Sequence, residues 1–235
     1  MAINKRKRAK VIAILSISAA LIVVLQVLAQ VIGHFTAFSL ALGLLPVLVV
    51  AQLRDWKSGL FLGTVFGLCS LVIAAVLYAG VPAWETVIYP HISVLPRAIV
   101  GLVTSLVATA IGKALDKRDA AAGEALTLAS ADLTEQEIAA RNKKLRAARI
   151  TRDYFCSFGV AFLGVLLNAV GFLGMFLATN SGVVVPQEGA EAVVINFQGV
   201  LTTIVSVNTL IEAVVFPVVT AAIVQALRRA RVFKL

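Results

Sequence analysis

Few side chains in this sequence could do chemistry, and the one in the most unusual setting is Arg97, in the stretch HISVLPRAIVG at residues 91–101. There a polar loop passes into a long apolar run and leaves a guanidinium just inside its start. A cation costs about 2.5 to 3.5 kcal/mol at the centre of a membrane helix and less toward the interface. Something must offset that cost. Pro96 suits a first helical turn, where its missing N–H has no intrahelical partner, so Arg97 is expected near a helix N-terminus. Two roles fit that position. Arg97 either snorkels to the headgroups as an anchor, or faces an external cavity and pairs with an anion, whether a ligand or a carboxylate of this chain such as Glu85.

Glu212 is the second candidate. It follows Asn208 by four residues, which places both on one helix face, and Asn168 is a third polar residue among apolar neighbours. An interhelical hydrogen-bond set that fixes packing, worth about 0.6 to 2 kcal/mol per member, accounts for the two asparagines. A glutamate near the membrane midplane is costlier and more often functional, as a ligand contact or a proton site. His34 and His91 are the two histidines, and neither has an acid partner nearby in sequence. Trp84 and Tyr89 suit an interfacial aromatic belt and would equally suit stacking on a flat ligand. Enzymatic motifs are missing: there is no G-x-x-x-x-G-K-[ST] phosphate loop, no H-E-x-x-H and no G-x-S-x-G. No enzymatic activity, cofactor or metal is expected.

The elements that must position these residues follow from composition. Apolar residues fill 60% of the 235 positions and charged residues 14%, against about 45–50% and 25% in soluble domains. Several runs exceed the roughly 20 residues needed to cross about 30 Å of hydrocarbon. The formal charge of +9 could suggest nucleic acid, but the basic residues flank apolar runs, as membrane topology requires. Two cysteines, Cys69 and Cys156, are too few for a disulfide framework.

Six transmembrane helices are expected, at about residues 11–32, 36–53, 59–80, 93–115, 154–179 and 197–227, within one all-α domain. Pro46 inside the second implies a kink or an irregular segment. Ser16 and Ala20 on the first, and Gly59, Gly63 and Gly67 on the third, form small-residue faces that let another helix approach closely. The glycine ridge meets either this chain's own helices or a partner. Residues 116–152 form a polar, alanine-rich linker in which Thr134 and Glu137 make a capping box for a basic helix, and Glu137 with Arg141 makes an i,i+4 pair. With the N-terminus inside, twenty of the 21 basic residues fall on the cytoplasmic side and Arg97 alone falls outside, so both termini are expected in the cytoplasm. The outer mouth then gathers His34, the loop 81–92, Arg97 and the loop 181–196. Asn168 and Asn208 each lie about 16 Å below it, at 1.5 Å per residue.

Four stretches resemble one family. FSLALGLLPVLVVAQLRDWKSGLFLGTVFGL, ISVLPRAIVGLVTSL, FLGVLLNAVGFLGM and VNTLIEAVVFPVVTAAI are similar, in order and spacing, to helices two to six of S components of energy-coupling-factor (ECF) vitamin transporters, of which ISVLPRAIVG and the pair Asn208 and Glu212 are the most specific. The resemblance implies a six-helix substrate-binding subunit in a bacterial plasma membrane. Its partners would be a transmembrane coupling protein and two cytoplasmic ATPases, with small first-helix residues, here Ser16 and Ala20, touching the coupling protein. The linker 116–151 is longer than the family pattern, and Ser16 departs from its alanines. The implied ligand is a water-soluble vitamin, with folate and pantothenate favoured because Arg97 could receive a carboxylate as a bidentate donor. The alternative is a stand-alone secondary transporter that uses Glu212 as its proton site.

Overall fold

A computed structural model describes residues 2–35, 40–77, 79–80, 84–129, 134–187, 190–194, 196 and 209–230. Among them the helices are α1 (Ala2–Phe35), α2 (Leu44–Leu53), α3 (Trp56–Leu77), α4 (Pro90–Ser93), α5 (Leu95–Ala129), α6 (Glu135–Asn180) and α7 (Leu210–Arg229). A 3-10 helix, Trp84–Ile88, precedes α4, and strands β1 (Val184–Gln187) and β2 (Ala190–Val194) pair antiparallel in the stretch expected as loop 181–196. Five helices are long and apolar enough to cross a membrane, and α2, with 10 residues, is shorter. The chain has the build of a multi-pass membrane protein.

Helix α3 runs antiparallel to α5 along the glycine ridge. A Cβ placed on Gly59 would strike Gly101 and Ser105, one on Gly63 would strike the Arg97 carbonyl oxygen, and one on Gly67 would strike Val94. Gly101 answers from α5, where a Cβ would meet the Gly59 carbonyl. With no side chains between them the two backbones come into contact, which apolar lipid could not otherwise drive. The ridge expected as a possible docking surface for a partner is therefore spent inside this chain.

The irregular segment expected around Pro46 is present as a non-helical stretch at 40–43, inside the expected helix 36–53, and α2 itself carries no interior proline. The helix begins at Leu44, so Pro46 lies in its first turn, where the missing N–H breaks no bond. Residues 40–43 form the turn before it. The buried side chain of Gln26 in α1 accepts the Gly43 N–H at 3.2 Å. Around this turn lies the main core, which includes Ile22, Leu44, Leu48, Leu62, Phe66, Val100, Val165 and Phe216. A second cluster of Ala74, Val87, Ile92 and Phe176 closes the end of the bundle that carries α4. There the Asn180 amide donates to Thr86 Oγ1 at 2.7 Å and to the Phe176 carbonyl at 3.0 Å.

The expected linker is instead a projection. Helix α5 continues through 35 residues and α6 through 46, about 52 and 69 Å at 1.5 Å per residue, against about 30 Å of hydrocarbon. The alanines at 120–122, 125 and 129 favour helix where a break was expected, and no interruption separates the basic segment from the apolar half of α6. Thr134 caps α6: its N–H donates to Glu137 Oε2 at 3.0 Å, and its hydroxyl accepts the Glu137 N–H. The Glu137 carboxylate turns back to this cap rather than forward to Arg141. Asp119 on α5 receives Arg152 bidentately at 2.7 and 3.0 Å, and Arg149 Nε at 3.3 Å. This clasp holds the two helices side by side beyond the membrane-spanning stretch. The Arg152 hydrogen bonds hold the Asp119 carboxyl below the usual carboxylate range.

Candidate binding site at a buried arginine

Arg97 lies in the first turn of α5, and its carbonyl oxygen abuts Gly63. Gly63 is inside the 22-residue α3, about two turns from its start at Trp56, so the backbone of Arg97 packs within the length of that helix, in a first helical turn as the sequence placed it. The side chain stays inside as well. It is 9% exposed, and its NH1 donates to the Ser93 carbonyl at 2.6 Å, a group left open by the break between α4 and α5. The guanidinium lies over the rings of Phe66 on α3 and Phe172 on α6, at 5.2 and 5.1 Å. Each such contact contributes about 0.5–1 kcal/mol in water and about 2 when desolvated. Arg97 is thus no snorkelling anchor.

Glu212 on α7 is a buried carboxylate, 7% exposed; it makes no salt bridge with Arg97, so the attraction between the two acts at longer range than direct contact. Glu212 Oε1 also accepts the Ala41 N–H at 2.5 Å, which ties α7 to the turn before α2. Glu85, the carboxylate suggested by proximity in sequence, is exposed. Coulomb attraction in a medium of low dielectric compensates part of the desolvation of both ions. It does not satisfy them: Arg97 Nε, Asn168 Oδ1 and Ser70 Oγ are buried without a hydrogen-bond partner. Asn168 stands one turn from Phe172, and Ser70 one turn from Phe66, so these vacant groups flank the two rings that hold the guanidinium. Buried polar atoms are normally paired. Each hydrogen bond left unmade inside costs about 1–3 kcal/mol.

The candidates taken from sequence divide accordingly. Arg97 and Glu212 come together, with Asn168 one turn from an aromatic ring that touches Arg97. Tyr89 and His91 stack on each other at 5.7 Å, both exposed at the end of the bundle carrying α4. Asn208 and the side chains of His34 and Trp84 lie outside the described residues. Ser16 and Ala20 are exposed on α1, free to meet another helix, unlike Gly59, Gly63 and Gly67. Phe66, Phe172, Ser93 and Ser70 were not foreseen. The i,i+4 spacing of Ser93 to Arg97 and of Asn168 to Phe172 was the available signal.

Several apolar helices that enclose a buried arginine and a buried glutamate give the build of a helical multi-pass membrane protein with polar groups inside the bundle. No family model, curated protein or solved structure matches this chain.

Proposed function

We propose that this chain is the substrate-binding subunit of an ECF-type importer in a bacterial plasma membrane, capturing a water-soluble vitamin that carries an anionic group. In this reading α2 with residues 40–43 completes six crossings, and both termini are cytoplasmic. The observation that carries it is the Arg97 guanidinium, held between Phe66 and Phe172 with Nε unpaired and Glu212 at longer range than direct contact. A carboxylate-bearing ligand of the folate or pantothenate kind would take the free N–H and displace part of the Glu212 interaction. The resemblance of ISVLPRAIVG and VNTLIE to the family supports the assignment, and exposed Ser16 and Ala20 on α1 suit contact with a coupling protein. ATP hydrolysis would belong to the partners.

The test is gentle purification, mass spectrometry of the retained small molecule, and titration of that molecule against the wild type, Arg97→Lys and Arg97→Ala. Binding should weaken in the lysine variant, because an ammonium lacks the guanidinium fork, and more in the alanine variant. Unchanged affinity in both would refute the site. The buried carboxylate of Glu212 favours a second reading, a proton-coupled secondary transporter. Accumulation driven by a proton gradient in liposomes holding only this chain would establish that reading and overturn the first.

A further inference from the structure

The projection carries a feature that membrane transport does not use. Between α5 and α6, beyond the Asp119 clasp, lies a cleft of about 510 Å³. Its floor is apolar or open, formed by Leu126, Leu145, Ala139 and Gly123, and its rim is cationic, formed by Lys143, Arg146 and Arg149. No acidic side chain lines it. Of the nearby carboxylates, Asp119 is taken by Arg149 and Arg152 and Glu137 by the Thr134 cap, while Glu124 and Glu135 are exposed but do not line the cleft. Lys143 and Arg146 have no salt-bridge partner among the described residues.

Gly123 opens on this cleft. A Cβ there would meet nothing within 4 Å, as at the other helical glycines Gly112, Gly159 and Gly174, whereas Gly59, Gly63 and Gly67 are pressed by α5. The space in front of Gly123 is unfilled by this chain. It is also remote from lipid: Gly123 follows Arg97 by 26 residues, about 39 Å along a helix, while half a bilayer with its headgroups is about 20–22 Å. Two antiparallel helices with an apolar groove and a basic edge lack a third helix, and the side that would complete them must be apolar on one face and acidic on the other.

We propose that the α5–α6 projection is a docking site for an amphipathic acidic helix of a soluble partner protein, its apolar face on Leu126 and Leu145 and its carboxylates on Lys143 and Arg146. This goes beyond the transport reading and does not depend on which ligand occupies the membrane site.

The experiment uses the full chain in nanodiscs and fluorescence anisotropy. One probe is a labelled 14-residue peptide with leucines at i, i+3, i+4 and i+7 and glutamates elsewhere, and a second has the same composition in scrambled order. A single-stranded RNA oligonucleotide of similar charge is the third. The ordered peptide should bind at least tenfold more tightly than the scrambled one and than the RNA. Gly123→Trp, whose Cβ meets no atom of this chain within 4 Å and which removes a residue of poor helix propensity, should reduce that binding at least tenfold. The Lys143→Glu and Arg146→Glu double variant should do the same, while Lys143→Arg should retain binding. Equal affinity for both peptides, tighter binding of the RNA, or indifference to Gly123→Trp in a protein with unchanged helicity would overturn the proposal.

Discussion

Removing Arg97 should destabilise the bundle through what it leaves behind on α7. In Arg97→Ala the Ser93 carbonyl loses its donor, two ring contacts vanish, and Glu212 keeps a buried carboxylate without its cation. A contacting buried ion pair broken from one side costs about 3–5 kcal/mol; Arg97 and Glu212 form no direct salt bridge, so the electrostatic part of the loss here is smaller. The ring contacts alone, at about 0.5–2 kcal/mol each, could account for part of this, so the single variant is not diagnostic. Glu212→Gln separates the terms: the amide oxygen still accepts the Ala41 N–H, the rings still face the guanidinium, and only the negative charge is gone. Combined with Arg97→Ala it also removes the stranded carboxylate. The double variant should therefore lose about 0.5–3 kcal/mol less than the sum of the singles, the range for coupled groups. Unfolding of the four proteins by denaturant in detergent micelles measures this cycle. Additivity within about 0.5 kcal/mol would show that Arg97 and Glu212 do not stabilise each other, and would remove the charge pair from the description of the site.

Gly63→Leu should abolish folded, monodisperse protein, since the new side chain would run into the Arg97 carbonyl of α5, whereas exposed Ala20→Leu should leave the melting temperature within a few degrees; size-exclusion profiles and thermal scans compare them. Asn180→Leu should lower stability by about 1–3 kcal/mol through the lost bonds to Thr86 and Phe176, measured in the same denaturant titration. The Asp119 carboxyl is held below its ordinary range by Arg152, so its stabilisation of the projection is present at neutral pH and disappears as pH falls through the lowered value. Protection factors of the amides in the α5–α6 projection, corrected for the intrinsic exchange rate at each pH, should fall under acid, and Asp119→Asn should show at neutral pH the same loss of protection, within about tenfold for a pair contributing roughly 1 kcal/mol.

Membrane character and the approximate limits of α3 were legible in sequence because hydropathy is a local sum and a span needs a fixed number of apolar residues. Arg97 and Glu212 stood out individually for a similar reason, as charges where charges are costly. Their pairing did not, because nothing local joins the start of α5 to the start of α7. The choice of Glu212 over the nearer Glu85 was made by packing, with Phe66 and Phe172 closing around the guanidinium from two other helices. The glycine ridge shows the same division: a spacing of four announces a close approach but not the identity of what approaches, and only the tertiary structure turns it toward Gly101. The projection was misread because polar, alanine-rich sequence suits a linker and a solvated helix equally well. Its continuity was decided by helix propensity together with the Asp119 clasp, a contact between residues about thirty positions apart. Sequence alone determined which residues could not rest comfortably in lipid, and the fold decided which of them met, because each must find its partner among helices that sequence order does not bring together.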